Sequence, residues 1–201
     1  METGCDKLGD DNKRNVDKRV VRTKKAIKSA LFRIMESKAL NEITISELTT
    51  AANVNRRTFY THYHNLTDIL EEIETDLVAE LKALLESVDQ SDHKNSIYNI
   101  FIGFYKLMSG EFDYYFHLMR MDTRGILTSR LRNALKASAK TFKDHSEIKE
   151  ATGIIPAFEA GGFLACFMEW YYSEDRIPVE KAAEIVSAMA EACAKAAVEL
   201  K

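Results

Sequence analysis

With 201 residues, 46% hydrophobic and 29% charged, the chain has ample material for a packed core in one or two domains, and its wealth of Ala, Leu, Glu and Lys with only two prolines predicts an all-α fold. No apolar run approaches the roughly 20 residues that cross a bilayer, and the opening METGCDKLGDDNKR lacks a signal peptide's apolar centre, so a cytoplasmic protein with no membrane partner is expected. The net charge of −3 hides an asymmetry: residues 1 to 12 carry −3, residues 13 to 64 carry +8 and residues 65 to 201 carry −8, which reserves any polyanion partner for the front of the chain.

Residues 1 to 18 are polar and read as a flexible N-terminal tail. From about Arg22 to Ser37 the residues Ile27, Ala30, Leu31, Ile34 and Met35 recur at helical spacing, and Leu40, Ile43 and Ile45 bridge toward the next element. Thr44-Ile45-Ser46-Glu47 is a capping box that opens a short helix with Leu48, Ala51 and Ala52 on its apolar face. Asn53-Val54-Asn55 follows as a turn: Asn53 suits the left-handed conformation that ends a helix, Val54 plugs the gap, and Asn55 caps the next helix. In that helix, Arg56 to Tyr63, Phe59 and Tyr63 fall four apart and face inward, leaving Arg56, Arg57, Thr58, Tyr60, Thr61 and His62 on other faces. Two short helices about a tight turn, the second opening on arginines, make a helix-turn-helix suited to a DNA major groove. A guanidinium grips guanine O6 and N7 bidentately, so one of Arg56 and Arg57 is expected to read a base and the other to pair with a phosphate. The basic run Lys13 to Lys28 is either a solvated face or a source of phosphate contacts, with Lys24 and Lys25 as candidates.

Asn65-Leu66-Thr67-Asp68 is a further N-cap with an acid three residues on, and Leu66, Ile69, Leu70, Ile73, Leu77, Leu81, Leu84, Leu85 and Val88 continue as one long helix that ties the front of the chain to the rest. Ser87 to Ser96 reads as a loop. Helices are then expected over Ile97 to Ser109, Phe112 to Met121, near Leu127 to Phe142 after a break at Gly125, and, past a polar link to Gly153, over Ile155 to Tyr172 and Val179 to Leu200. This gives a tail at 1–18, a helix-turn-helix domain at 19–66 and a helical domain at 67–201. Phe101, Phe104, Tyr105, Phe112, Tyr114, Tyr115, Phe116 and His117, with Phe158, Phe163, Phe167 and Trp170, either form the second domain's core or wall a pocket for a small amphipathic ligand. Tyr105, Tyr115, His117 and Phe163 are the ligand candidates, because polar tips inside an apolar domain need partners.

Catalytic and metal signals are absent from this reading. The rings of His62 and His64 lie at i and i+2, some 200° apart on a helix, too far apart for one ion. Cys5, Cys166 and Cys193 are odd in number and without C-x-x-C spacing, so they suggest neither zinc nor a disulfide framework; two are read as buried small hydrophobes and one as a tail thiol. No nucleophile elbow, Walker loop or dinucleotide fingerprint occurs, and neither an enzyme nor a cofactor is expected.

These residues resemble the TetR-type transcriptional regulators, above all in Thr58-Phe59-Tyr60-x-His62-Tyr63-x-Asn65, which looks like that family's aromatic-rich recognition helix and its Asn cap. The resemblance implies a three-helix DNA-binding head with a helical ligand-binding and dimerisation body. It further implies that Thr58 and Tyr60 touch base methyls or phosphates and that His62 and His64 contact the backbone; Thr44, Thr61 and Asn65 complete the candidate DNA-contact set. Packing for Tyr60 and a plain solvated surface for His64 remain the alternatives. The head departs from the pattern at Leu66, where the family often carries Lys, which removes one side-chain phosphate contact but not the backbone contact of a helix N-terminus. Gly161-Gly162 followed by Trp170 and a last helix started by Pro178 looks like the dimerisation helices of a branch, some of whose members sit beside dihydroxyacetone kinase genes. Gly161, Gly162, Ala165 and Cys166 would allow close approach in a homodimer, with Met168, Trp170, Ile185, Met189 and Ala192 adding apolar surface; the alternative is that these faces pack within one chain. Two heads on one dyad, about 34 Å apart, would read a near-palindrome. A small-molecule effector bound to the body would shift the dimer away from the DNA-competent state, so repression relieved by ligand is the expected mechanism. Docking of a partner protein on the body, with activation, is the competing one.

Overall fold

The computed structural model describes residues 6–89, 91–110, 114–122, 125–139 and 153–199. Cys5, Phe112, the side chain of Tyr114, the end of the helix expected to reach Phe142 and the polar link that follows it lie outside the described residues. All regular elements among the described residues are helical, as the composition predicts. None of these helices is long and apolar enough to cross a membrane. The chain divides into two units, Met1–Ile73 and Glu74–Lys201.

The first unit begins with α1 (Asp6–Met35), whose apolar stripe buries Ile27, Ala30, Leu31 and Phe32. The periodicity placed this helix from about Arg22, and its residues 6 to 18 fall in the segment read as a tail. Once a packed helix exists, adding turns costs little, because each new residue gains a backbone bond without a new nucleation step. A 3-10 turn at Leu40–Glu42 leads into α2 (Ile45–Ala51) and α3 (Arg56–Tyr60). The unit closes within α4 (Leu66–Ser87), on which Ile69 and Ile73 are buried, so the first two turns of this helix belong with the helix-turn-helix.

The second unit holds the rest of α4 with α5 (His93–Met108), α6 (Tyr114–Met121), α7 (Ile126–Ala139), α8 (Ile154–Tyr172) and α9 (Val179–Glu199). Helix α5 packs on α9, and α8 packs on both α7 and α9. The loop expected over Ser87 to Ser96 is shorter than its polarity suggests, because Asp92 accepts the Asn95 backbone N–H at 3.1 Å and starts α5 four residues ahead of Ile97. Gly125 breaks the chain at φ 66, a left-handed conformation that favours glycine. Asp122 then caps α7, accepting the N–H groups of Ile126 and Thr128 at 2.7 Å each. Burial pushes the Asp122 carboxyl up, but these donors outweigh it and hold it below its ordinary value. The core gathers Leu77, Leu81, Phe101, Phe104, Met108, Leu131 and Phe167, all fully buried. Cys166 and Cys193 are half-buried rather than buried, since both face a groove along α8 and α9.

Candidate nucleic-acid interface

Local hydrogen bonding builds the helix-turn-helix. Thr44 Oγ1 accepts the Glu47 N–H at 3.1 Å and opens α2. The reciprocal half of the expected capping box is replaced, for the Glu47 carboxylate pairs with Lys38 Nζ at 2.6 Å. Arg33 Nη2 donates to the Ala51 carbonyl at 2.9 Å and satisfies the other end of α2. Asn53 takes φ 52, and Asn55 Oδ1 accepts the Arg57 N–H at 2.8 Å to start α3. Helix α3 ends at Tyr60, earlier than the Arg56 to Tyr63 expected from spacing. The reason is local: the His62 N–H bonds back to the Phe59 carbonyl and Thr61 Oγ1 to the Thr58 carbonyl at 2.6 Å, a tightening that ends the helix.

Phe59 and Tyr63 anchor this segment, at 0% and 2% exposure. Tyr63 donates its hydroxyl to Glu72 Oε1 at 3.2 Å, and the same carboxylate holds Lys24 Nζ at 2.6 Å and Lys28 Nζ at 2.8 Å. Burial pushes the Glu72 carboxyl up, yet the two lysine hydrogen bonds outweigh it and keep it below its ordinary value. This hub joins α1, the end of the motif and α4. Sequence reading missed Glu72; its one signal was the i, i+4 pair Lys24 and Lys28, which set two cations on one face with an apolar stripe beside them.

With the anchors inside, the outward residues follow. Arg56 and Arg57 are both exposed at the start of α3. Arg56 stands 5.7 Å from the Tyr60 ring centroid with Nη2 3.4 Å from the hydroxyl, so that a flat cation and a phenol share one exposed edge. Tyr60 is 42% exposed while its ring also meets Phe59 edge-on at 5.5 Å, which combines packing with an outward tip. Thr44, Thr61, His64 and Asn65 are exposed, whereas Thr58 and His62 are half-buried. Asn65 is occupied as the cap of α4: its Oδ1 accepts the Asp68 N–H at 3.1 Å, and Asp68 accepts the His64 N–H at 2.7 Å. That bond from His64 comes first among the causes that hold the Asp68 carboxyl below its ordinary value. Lys24 is engaged by Glu72, and Lys25 is half-buried. The structure thus brings Arg56, Arg57, Tyr60, Thr61 and the segment to Asn65 together.

The body candidates separate into two groups. Phe163 packs edge-on with Phe101 at 5.7 Å in a cluster with Phe104, Phe167 and Trp170. Tyr105 meets Trp170 edge-on at 5.5 Å, Tyr115 donates to Glu80 at 3.3 Å, and His117 is half-buried on α6. Along α8 and α9, Ala165, Ile185 and Met189 are exposed, and Gly161, Gly162, Cys166 and Trp170 are half-buried. A Cβ added at Gly161 or Gly162 would meet nothing within 4 Å. Trp170 donates its indole N–H to the Ile177 carbonyl at 2.8 Å.

No family model matches the chain. Over 62 residues it is 37% identical to the helix-turn-helix-type transcriptional regulator YxbF of Bacillus subtilis, a match covering 30% of this chain and 16% of that protein. The chain therefore spans only about a sixth of that relative's length in the match. The crystal structure of a TetR transcriptional regulator from Streptococcus agalactiae superposes with a TM-score of 0.60 at 22% identity, over 88% of this chain and 98% of that one. The dihydroxyacetone kinase operon activator DhaS superposes with a TM-score of 0.60 at 18% identity, over 86% and 96%. DhaS is of the branch that the Gly161-Gly162 and Trp170 pattern resembles. The chain has the all-helical fold of the TetR-type regulators, with a helix-turn-helix unit followed by a helical body, and it resembles that family along its described length.

Proposed function

We propose that this protein is a DNA-binding transcriptional regulator that acts as a homodimer on a near-palindromic operator. The observation that carries the proposal is the pairing of a rigid inside with a cationic outside in α3. Phe59 and Tyr63 are sunk in the core, while Arg56 and Arg57 stand exposed on a helix start fixed by Asn55. Side chains held this way read base edges without first paying for ordering. The face of α8 and α9 supports self-association. Phe158, Ile185 and Met189 are large, apolar and between 45% and 64% exposed, and the open space at Gly161 and Gly162 admits another helix. Release from DNA by a small molecule completes the reading, in which the ligand favours a body arrangement incompatible with the operator.

A second reading, activation through a partner protein docked on the body, has its own support. The aromatic residues of the body fill a core, and one solved structure with this fold is named an operon activator. Selection of bound duplexes from a random pool, followed by transcription from the selected site with and without the protein, tests both. Enrichment of a two-half-site sequence, with half-sites about one helical turn apart, supports the regulator. Absence of any enriched sequence contradicts it, and the direction of the transcriptional change separates repressor from activator.

A further inference from the structure

Glu159 lies on α8 at 8% exposure, and both of its carboxylate oxygens are shut off from solvent. Neither DNA contact nor helix capping calls for an acid there. Two cavities meet at this residue. The outer one, about 90 Å³, opens along α8 and α9 between Phe158, Gly162, Cys166, Val186 and Met189. The inner one, about 20 Å³, is bounded by Leu85, Ile100, Leu135, Ala160 and the hydroxyl-bearing Ser138. Ile97, Glu159 and Phe163 line both.

We infer that this pair of cavities binds a small organic cation, its ammonium head in the inner void against Glu159 and Ser138 and its short apolar tail in the outer groove. Size selects the arrangement. A void needs about 10–15 Å³ to accept one water-sized group, so the inner cavity of about 20 Å³ takes an ammonium and no ring. An apolar cavity of about 150 Å³ holds benzene, so the outer cavity of about 90 Å³ takes a tail of a few carbons, and a longer tail must run out of its mouth. Charge selects the head: a carboxylate taken out of water among apolar walls is strongly stabilised by a cation brought into the same space. An alcohol or a carboxylate of the same shape gains nothing from Glu159. Phe158 and Met189, which rim the mouth, also belong to the face proposed for a second copy, so the ligand and the dimer meet at one edge.

This inference deepens the effector part of the proposed function by naming its chemical class, and it is tested on the protein without DNA. Isothermal titration of the full chain at pH 7 would use n-butylamine as the probe, with n-butanol and butyrate as controls and Glu159→Gln as the isosteric variant. Saturable binding of one amine per chain, at least tenfold weaker in Glu159→Gln and not seen with the controls, is the expected result. Should the variant fail to fold by circular dichroism, an ethyl-, butyl-, hexylamine series on the unaltered chain replaces it. Affinity then rises about fourfold per methylene while the tail is inside the groove and levels off once it leaves. No saturable binding of any amine, equal affinity in Glu159→Gln, equal binding of butanol, or a series flat in tail length would overturn the inference. A chain that binds the amine but selects no DNA would leave this site standing and sink the regulator reading instead.

Discussion

Replacing Glu72 by Gln removes the carboxylate that gathers Lys24, Lys28 and Tyr63, and its cost follows from how much water those groups see. The Lys24 side chain is 32% exposed and that of Glu72 27%, so this pair is close to a surface ion pair worth at most about 1 kcal/mol. The Lys28 side chain is 11% exposed; breaking a fully buried pair costs about 3–5 kcal/mol, and partial exposure brings this one below that range. A total of about 1–3 kcal/mol for opening the first unit is expected, a 5- to 150-fold rise in amide exchange governed by that opening. Trp170 lies in the second unit, so its fluorescence is blind to this change. Hydrogen-exchange mass spectrometry reads it instead, on peptides covering residues 24–35 and 56–73, with peptides of α8 as the unchanged reference. The pH dependence has a definite sign. The Glu72 carboxyl is held below its ordinary value of 4.5 in the folded state, so its stabilisation is full above that value and fades as pH falls through the lower folded one. The gap between wild type and Glu72→Gln therefore closes on acidification. Exchange unchanged within twofold at pH 7, or an equal effect from the exposed Glu86→Gln, would refute the reasoning.

Other perturbations follow from single contacts. Asn55→Ala deletes the cap of α3 and costs about 1 kcal/mol, read as faster exchange over residues 56–63 and weaker DNA binding with no change in the body. Phe59→Ala empties a site at 0% exposure and costs about 3–5 kcal/mol, enough to unfold the first unit, which circular dichroism detects as lost helix. Asp122→Ala removes two 2.7 Å caps of α7 and costs about 1–2 kcal/mol in urea unfolding of the body. Because the Asp122 carboxyl is held low, this difference too shrinks as pH falls through its folded value. Met189→Glu places a charge on the exposed α9 face, and sedimentation should shift from dimer to monomer; an unchanged sedimentation coefficient would exclude Met189 from a self-interface.

Much of the fold was legible because short-range chemistry set it. Asn53 and Asn55 bracket a turn whose backbone demands a left-handed residue and then a cap, and Phe59 and Tyr63 sit one helical turn apart on the buried face. The elements misjudged in extent were decided by bonds that periodicity does not carry. A Thr61 hydroxyl and an i to i+3 bond end α3 at Tyr60, and an Asp92 side chain starts α5 early. Long-range partners were invisible altogether: Lys24 looked like a phosphate ligand because Glu72, 48 residues away, is not on its helix. The aromatics of the body show the same limit, since a Phe in a core and a Phe on a pocket wall obey one spacing, and only packing placed Phe163 in a ring cluster that also borders two cavities.

The central claim rests on Arg56 and Arg57, and the most direct measurement is a salt titration of binding to the DNA upstream of the protein's own gene, for wild type, Arg56→Ala and Arg57→Ala. The account predicts selective binding that weakens steeply with salt. The variant that loses a bidentate base contact should lose about 1–3 kcal/mol, or 5- to 150-fold, together with selectivity, and the one that loses a phosphate contact should lower the salt slope by about 1. Wild-type affinity and selectivity retained in both variants would contradict it.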